Sequence, residues 1–152
     1  NSSDQTQHQG ICPNGWHLPS DHEWNQLEEV IAESAAGEYS TTGATTWLNS
    51  YATQGGSYRG THGQKMISTT AVNNQTTNGQ SFSASSNGFD ALLVGNNFYD
   101  RYESWSECAS LWSSSSSSES KAWRRYCCRN ATGVYRDPVE KYNERSVRCK
   151  KD

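Results

Sequence analysis

Apolar residues along this chain come mostly singly or in pairs, and one stretch repeats them at a helical interval. In GICPNGWHLPSDHEWNQLEEVIAES, residues 10–34, Trp24, Leu27 and Ile31 recur at helical spacing with Val30 beside them, while Glu28, Glu29 and Glu33 take the water side. Ser20 and Glu23 have the spacing of a capping box: the serine hydroxyl satisfies the N3 amide while the glutamate reaches back to the N-cap amide. Gly37 supplies a stop, because glycine ends a helix in the left-handed conformation without steric cost. The pattern predicts a helix of about four turns.

From residue 39 to residue 87 Thr, Ser, Asn, Gln and Gly dominate. The pairs Trp47-Leu48 and Met66-Ile67 are the expected points at which this segment docks on the core, and a second short helix fits residues 45–51. A polar stretch of this length points to a function or to a loop-rich fold. Beyond it lie short strand candidates at 89–94, 111–112, 122–128, 134–136 and 146–150, separated by turn residues at hairpin-like distances. No strand–helix–strand rhythm and no internal repeat occurs. The expected class is α+β: an early helix, a long irregular middle and a small, mostly antiparallel sheet.

Composition changes this picture in one respect. The chain has 152 residues, enough for one domain, but only 32% of them are hydrophobic, and a mean hydropathy of -0.94 leans towards disorder. Six Trp, eight Tyr and a net charge of -3 argue the other way. Each buried Trp or Tyr removes roughly 150–250 Å² from water, so a small aromatic core replaces many aliphatics. No apolar run approaches the ~20 residues of a membrane span, and no stretch is expected to serve as a signal peptide. The polar opening NSSDQTQHQG reads as the start of a mature or trimmed fragment, with residues 1–10 flexible and a single domain over 11–152. Thirteen basic against sixteen acidic residues give no support for nucleic-acid binding, and the local group Arg124, Arg125 and Arg129 is too small to change that. Five cysteines is an odd number, and none shows C-x-x-C spacing. One or two disulfides with a leftover thiol, or five free buried cysteines, are the alternatives.

The residues with most binding chemistry are crowded into LWSSSSSSESKAWRRYCCRN, residues 111–130, where six serines precede two arginines, a tyrosine and adjacent cysteines. Enzyme motifs are missing. His17, His22 and Glu23 in HLPSDHE lack the H-E-x-x-H spacing that puts two ligands on one helix face. His22 is expected to face water in the first helical turn and His17 to sit in a packed turn. There is no G-x-S-x-G elbow, and adjacent Cys127-Cys128 is not a spaced reactive pair. No catalytic residue, metal site or cofactor is expected.

Five ordered blocks carry a family resemblance: residues 12–24 (CPNGWHLPSDHEW), residues 87–92 (NGFDAL), Trp112 to Ser114, Ala122-Trp123 with Arg125, and SVRC at 146–149. Together they resemble the major paralogous domain family of Fibrobacter succinogenes, over nearly the whole chain from Ile11. Two departures stand out: Glu144 and Arg145 occupy the positions where that family usually has Gly-Phe, and VGNNFYDRYESWSEC replaces a Gly-rich segment.

The resemblance implies a C-type-lectin-like fold, near the branch of the formylglycine-generating enzymes, in which the C-terminal part is similar to the variable region of proteins diversified by retroelements. Such elements mutate adenines, so that Asn codons become Tyr, Ser, Cys, Arg, Asp, Val and others, but not Glu, Lys or Trp. On the strand from Ala122, Trp123, Arg125 and Cys127 then form a packed face, and Arg124, Tyr126 and Cys128 a displayed one. Downstream, Val134, Arg136 and Lys141 read as scaffold, and Tyr135, Asp137, Val139, Tyr142 and Asn143 as display. Tyr99, Arg101, Ser110, Ser117 and Arg129 complete the display set within a variable part of about 99–146, and the serine tract becomes a surface loop of that face. Arg124, Tyr126, Tyr135 and Tyr142 are expected in water on one patch, with Trp112 and Trp123 buried. Cys108 and Cys128 fall among variable positions, and only Cys12 and Cys149 fall in fixed blocks. Pairing of the terminal strands in such folds implies a Cys12–Cys149 disulfide, the alternative being two small buried residues. The implied function is a non-enzymatic ligand-binding display domain on a bacterial cell or phage particle surface, outside the cell, with a protein or glycan ligand. The E-P-N and W-N-D calcium and sugar motifs of lectins are absent. A structural or carbohydrate-binding surface module, and a relative of the formylglycine-generating enzymes with residual catalysis, are the alternatives.

Overall fold

The computed structural model describes residues 7–34, 56–68, 89–98 and 101–152. Gly37, Trp47-Leu48, the short helix expected at 45–51 and Tyr99 lie outside the described residues. In chain order the elements are β1 (Trp16–His17), α1 (Asp21–Ser34), β2 (Ser57–Arg59), a 3₁₀ turn (Gly63–Met66), β3 (Asn96–Phe98), β4 (Arg101–Glu103), β5 (Cys108–Ser116), β6 (Lys121–Cys128), β7 (Val134–Glu140) and β8 (Lys150–Lys151). The class is α+β, with one α-helix and small antiparallel sheets among the described residues. No helix there is long and apolar enough to cross a membrane.

Helix α1 starts where its capping box places it. Glu23 N–H donates to Ser20 Oγ (3.2 Å) and Ser20 N–H donates to Glu23 Oε2 (2.9 Å). Trp24 and Ile31 are buried and Leu27 packs against them, as their spacing predicts. Trp24 meets Phe89 edge-on at 5.7 Å, an arrangement that adds roughly 0.5–1.5 kcal/mol to the burial of the rings. Met66 and Ile67 enter the same core from the 3₁₀ turn. Glu28 corrects the amphipathic expectation: it is fully buried, while Val30 is 61% exposed. Asp21, Asn25 and Glu28, at i, i+4 and i+7, form an inward polar stripe beside the apolar one.

A four-stranded antiparallel sheet in the order β2-β7-β6-β5 receives that stripe. The candidates at 111–112, 122–128 and 134–136 lie inside β5, β6 and β7. Those at 89–94 and 146–150 are mostly irregular: Ala91 and Ser146 each make one isolated parallel bridge, to Ile67 and Leu111, and only Lys150 joins a strand. The serine tract is not the expected loop. Residues 113–116 continue β5, with Ser113 and Ser115 buried and the chain turning outward only beyond them. Their small hydroxyls fit because β5 passes the start of α1, where Asp21 N–H donates to Ser115 Oγ (2.9 Å) and Ser114 N–H to Pro19 O (2.9 Å).

Three arginines from three strands converge on the helix stripe. Arg59 (β2) donates to Asn25 Oδ1 (2.8 Å) and to both carboxylate oxygens of Glu28. Arg125 (β6) donates to Asp21 Oδ1 (2.7 Å), Asn25 Oδ1 (2.8 Å) and Glu28. Arg136 (β7) holds Asp21 with Nε and Nη2 at 2.9 and 2.6 Å, and its guanidinium lies 3.5 Å from the centre of the Trp123 ring. His62 Nε2 completes the ring of partners around Glu28 at 3.1 Å. Burial opposes ionisation of Asp21 and Glu28, yet the facing arginines outweigh it and hold both carboxyls below their usual range.

The first and last strands meet across the start of the helix. β1 pairs with β8, and the buried His17 is held between Asp152 Oδ1 (2.6 Å) and Glu23 Oε1 (2.9 Å), with Lys150 Nζ also on Glu23 (2.6 Å). His8 bridges to Leu18 on the other side. A disulfide joins Cys12 to Cys149, 137 positions apart in sequence. A second joins Cys108 to Cys128, which face each other directly on β5 and β6. Cys127 is the free thiol, fully buried in the core.

Removing one partner of the ion network strands the others without water. Glu28→Gln is expected to cost about 3–5 kcal/mol in urea denaturation, whereas Gln26→Ala on the exposed side stays within about 0.5 kcal/mol. Comparable midpoints for the two variants would deny the network its structural role. The chain-entropy relation assigns about 5 kcal/mol to the long loop and about 3 kcal/mol to the short one. Cys149→Ala should therefore lower the midpoint most and Cys108→Ala less but clearly, and an unchanged Cys108→Ala would exclude the β5–β6 bond.

Candidate functional site

Strand alternation gives the four-stranded sheet two unlike faces. Arg59, Arg125, Arg136, Cys127 and Val134 point to α1 and the core. On the opposite face the paired rows are Cys108 with Cys128, then Ser110, Tyr126, Tyr135 and Tyr58, then Trp112, Arg124 and Asp137, then Ala122 with Val139. Arg124 Nε donates to Asp137 Oδ1 (2.7 Å), and its guanidinium lies 4.5 Å from the Tyr126 ring centre. Tyr58 and Tyr135 meet edge-on at 5.0 Å.

Two segments from elsewhere in the chain partly roof this outer face. The β3–β4 hairpin is tied to residue 144 by reciprocal amide bonds between Asn97 and Glu144 (3.1 and 3.2 Å). Gly95 at its base has φ +64°, and a Cβ there would stand 2.2 Å from Glu103 O, so only glycine lets the hairpin fold back this tightly. The chain leaves the hairpin through Ser104, a non-glycine residue at φ +56° whose hydroxyl lies 2.6 Å from the Tyr126 hydroxyl. The second segment runs beside β5, where Ser146 N–H donates to Ser110 O (3.0 Å) and Trp112 N–H to Ser146 O (3.1 Å).

Between roof and sheet is a cavity of about 340 Å³, lined by Asn96, Phe98, Glu103, Lys121, Arg124, Tyr126, Pro138, Val139, Glu140, Asn143 and Arg145. That volume suits a small molecule or one side chain of a larger ligand. Two of its three cations are matched: Lys121 lies 3.5 Å from Glu140, and Arg124 is held by Asp137. Arg145 has no carboxylate within ion-pair distance among the described residues. Its Nη1 donates to Ser110 Oγ (3.3 Å) and its guanidinium lies 5.3 Å from the Trp112 ring centre. Burial, then repulsion from Arg124, lower its pKa to about 10, so it remains charged at neutral pH. Among the described residues, Arg145 Nε and Asn143 Oδ1 are buried without a hydrogen-bond partner.

The structure brings Arg124, Tyr126, Val139 and Asn143 together around this cavity, with Asp137 and Tyr135 on the same face. Arg101 and Tyr142 are exposed near its rim elements, and Ser117 is exposed at the β5–β6 turn. Arg129 lies at the far end of β6, 3.7 Å from Glu107. Three residues expected on display are buried. Ser110 is covered by Arg145, Cys128 is bonded to Cys108, and Asn143 is 5% exposed where the chain turns under the roof. Arg124, Tyr126 and Tyr135 are half-buried rather than in water, because each leans on an ion or ring partner. Trp112 and Trp123 are half-buried as well, since arginines rather than a closed core cover their rings. Lys141, read as scaffold, is exposed and donates to Glu119 O (2.9 Å).

With this geometry in view, a comparison of sequences becomes informative. Residues 1–151 match the Fibrobacter succinogenes major domain. The chain belongs to that family. No curated protein and no solved structure matches it. Within the family domain, sequence reasoning missed Phe98, Glu103, Lys121, Glu140 and Arg145 as cavity residues, since they reach it from strand ends and from the roof. The one signal was the Glu144-Arg145 pair, already conspicuous as a departure from the family pattern.

Tolerance to substitution should follow the observed exposure. Arg101→Ala, Ser117→Ala and Tyr142→Ala are expected to stay within about ±0.5 kcal/mol in thermal denaturation. Ser110→Ala, which takes the acceptor from Arg145, is expected to cost roughly 1 kcal/mol. A loss from Tyr142→Ala larger than that from Ser110→Ala would place the boundary of the face elsewhere.

Proposed function

We propose that this chain is a non-enzymatic ligand-binding display domain with a C-type-lectin-like fold, and that its variable surface is the outer sheet face within about residues 99–146. One observation carries the reading: the same strands lock one face into a buried ion network and present Tyr, Arg and small polar residues around a cavity on the other. Tyr supplies rigid amphipathic area, Ser adaptable polarity and Arg an anchoring charge, a combination typical of adaptable binding surfaces. The pairing of β1 with β8, the long helix α1 and the small sheets among the described residues support the fold assignment. Two disulfides are compatible with a site outside the cell, on a cell or phage particle surface.

Residual formylglycine-type catalysis is disfavoured by the state of the cysteines. Cys108 and Cys128 are bonded to each other, and complete burial pushes the Cys127 thiol well above its ordinary pKa, so no nucleophilic thiolate faces solvent. A carbohydrate-binding surface module is the second reading. Tyr102 (79% exposed) and Trp105 (45% exposed) on and beside the β3–β4 hairpin favour it, because a sugar ring stacks on such open aromatic faces.

The gene's surroundings test the first reading. A reverse-transcriptase gene nearby, with a near-copy of the codons for residues 99–146, is the expected finding. Mismatches to that copy should fall at adenines, in codons for outer-face residues such as Arg124, Tyr126 and Tyr135, and spare those for Arg125, Cys127 and Arg136. Mismatches spread over both faces, or the lack of any such copy, would overturn the display reading and favour the fixed surface module.

A further inference from the structure

We propose that Arg145 anchors a carboxylate of the ligand, with the apolar body of that ligand resting against Tyr126, Phe98 and Val139. This deepens the assignment of the outer face as a binding surface and rests on it. The cavity holds three cations, and the protein itself neutralises two of them: Glu140 faces Lys121, and Asp137 faces Arg124. Among the described residues, Arg145 is left with a serine hydroxyl and an indole face, while Glu103 and Asp137 act on it only from beyond ion-pair distance. A half-buried guanidinium in that state keeps the cost of leaving water and lacks the partner that offsets it.

Two polar atoms of the lining residues carry unmet hydrogen-bonding capacity among the described residues. Among the described residues, Arg145 Nε is a buried donor with nothing to donate to, and Asn143, 5% exposed, has an amide oxygen with nothing to accept. A planar carboxylate suits the guanidinium fork, which presents parallel donors at carboxylate spacing. A neighbouring N–H on the same ligand would satisfy Asn143. Tyr126, Phe98 and Val139 offer apolar area beside this pair, so the favoured ligand is an apolar carboxylate with an adjacent amide N–H, the chemistry found at the carboxyl end of a peptide. Wholly polar acids, such as a uronic acid, leave that area uncovered.

Three probes separate these possibilities in NMR titrations of the full chain: N-acetylphenylalanine, its neutral C-terminal amide, and glucuronate. Saturable shifts of the Trp112 indole and the Arg145 Nε–H are expected with N-acetylphenylalanine, and none with the amide. Glucuronate should bind roughly ten-fold more weakly or worse, for want of apolar contact. Arg145→Gln should weaken the acid roughly ten-fold or more, because a charge-assisted hydrogen bond is lost, while Lys151→Gln on β8, away from the cavity, leaves it unchanged. The Arg145 Nε–H response needs no variant and decides the matter if Arg145→Gln does not fold. Equal binding of acid and amide, an unmoved Nε–H, or undiminished binding by folded Arg145→Gln would each overturn the anchor. Glucuronate binding as well as N-acetylphenylalanine would retain the carboxylate and reject the apolar body. Failure of all probes beside an adenine-limited template copy would remove the anchor alone; acid binding without such a copy would keep the anchor and remove the display reading.

Discussion

The buried meeting of Asp21, Asn25 and Glu28 with Arg59, Arg125 and Arg136 fixes most of this molecule. It involves one helix and three of the four strands of the main sheet, so it sets how far the helix lies along the strands and which way each strand faces. A one-residue slip in β6 would turn Arg125 to the outer face and put Arg124 or Tyr126 in its place, on the strand that faces Asp21, Asn25 and Glu28. Charge networks of this kind add little net stability over well-packed apolar residues, because desolvation consumes the Coulombic gain. Their effect is exclusion: an arrangement that withdraws an arginine from this site leaves a buried carboxylate without its partner. In a chain with few aliphatics, this penalty does the specifying that a larger apolar core does elsewhere.

That constraint also explains the neighbouring oddities. Three guanidinium groups face two carboxylates, and the surplus positive charge is eased by the Trp123 ring over Arg136. Serine rather than a larger residue lines β5 where it passes the helix start, since Ser115 must fit beneath Asp21 and accept its amide hydrogen. The tract that looks like a linker is therefore half scaffold. The Cys12–Cys149 bond and the His17–Asp152 contact hold β1 and β8 against the same helix start, so both strands are fixed relative to the network and not merely to each other.

Local patterns were legible in the sequence and distant partners were not. The capping box, the Trp24–Ile31 spacing, the Met66-Ile67 docking point and the two-fold alternation of β6 are all decided within a few residues. Glu28 was read as a water-facing residue because hydropathy carries no information about Arg59 and Arg125, which lie 31 and 97 positions away. The burial of Ser110 and Asn143 failed to show for the same reason: each is covered by chain that returns from a remote position. The Cys108–Cys128 pairing needs the β5–β6 register, which a serine-rich strand without apolar alternation does not announce.

The outer face is not a set of independent positions either. Arg124 is tied to Asp137 and stacked on Tyr126, Tyr126 shares a hydrogen bond with Ser104, and Ser104 holds the left-handed turn at the base of the roof. Changing Asp137 alone leaves Arg124 as a second unmatched cation beside Arg145; changing Tyr126 alone frees both Arg124 and the turn. Residues in contact lose additivity, with interaction energies on the order of 0.5–3 kcal/mol. A surface wired in this way accommodates new residues in groups more readily than singly.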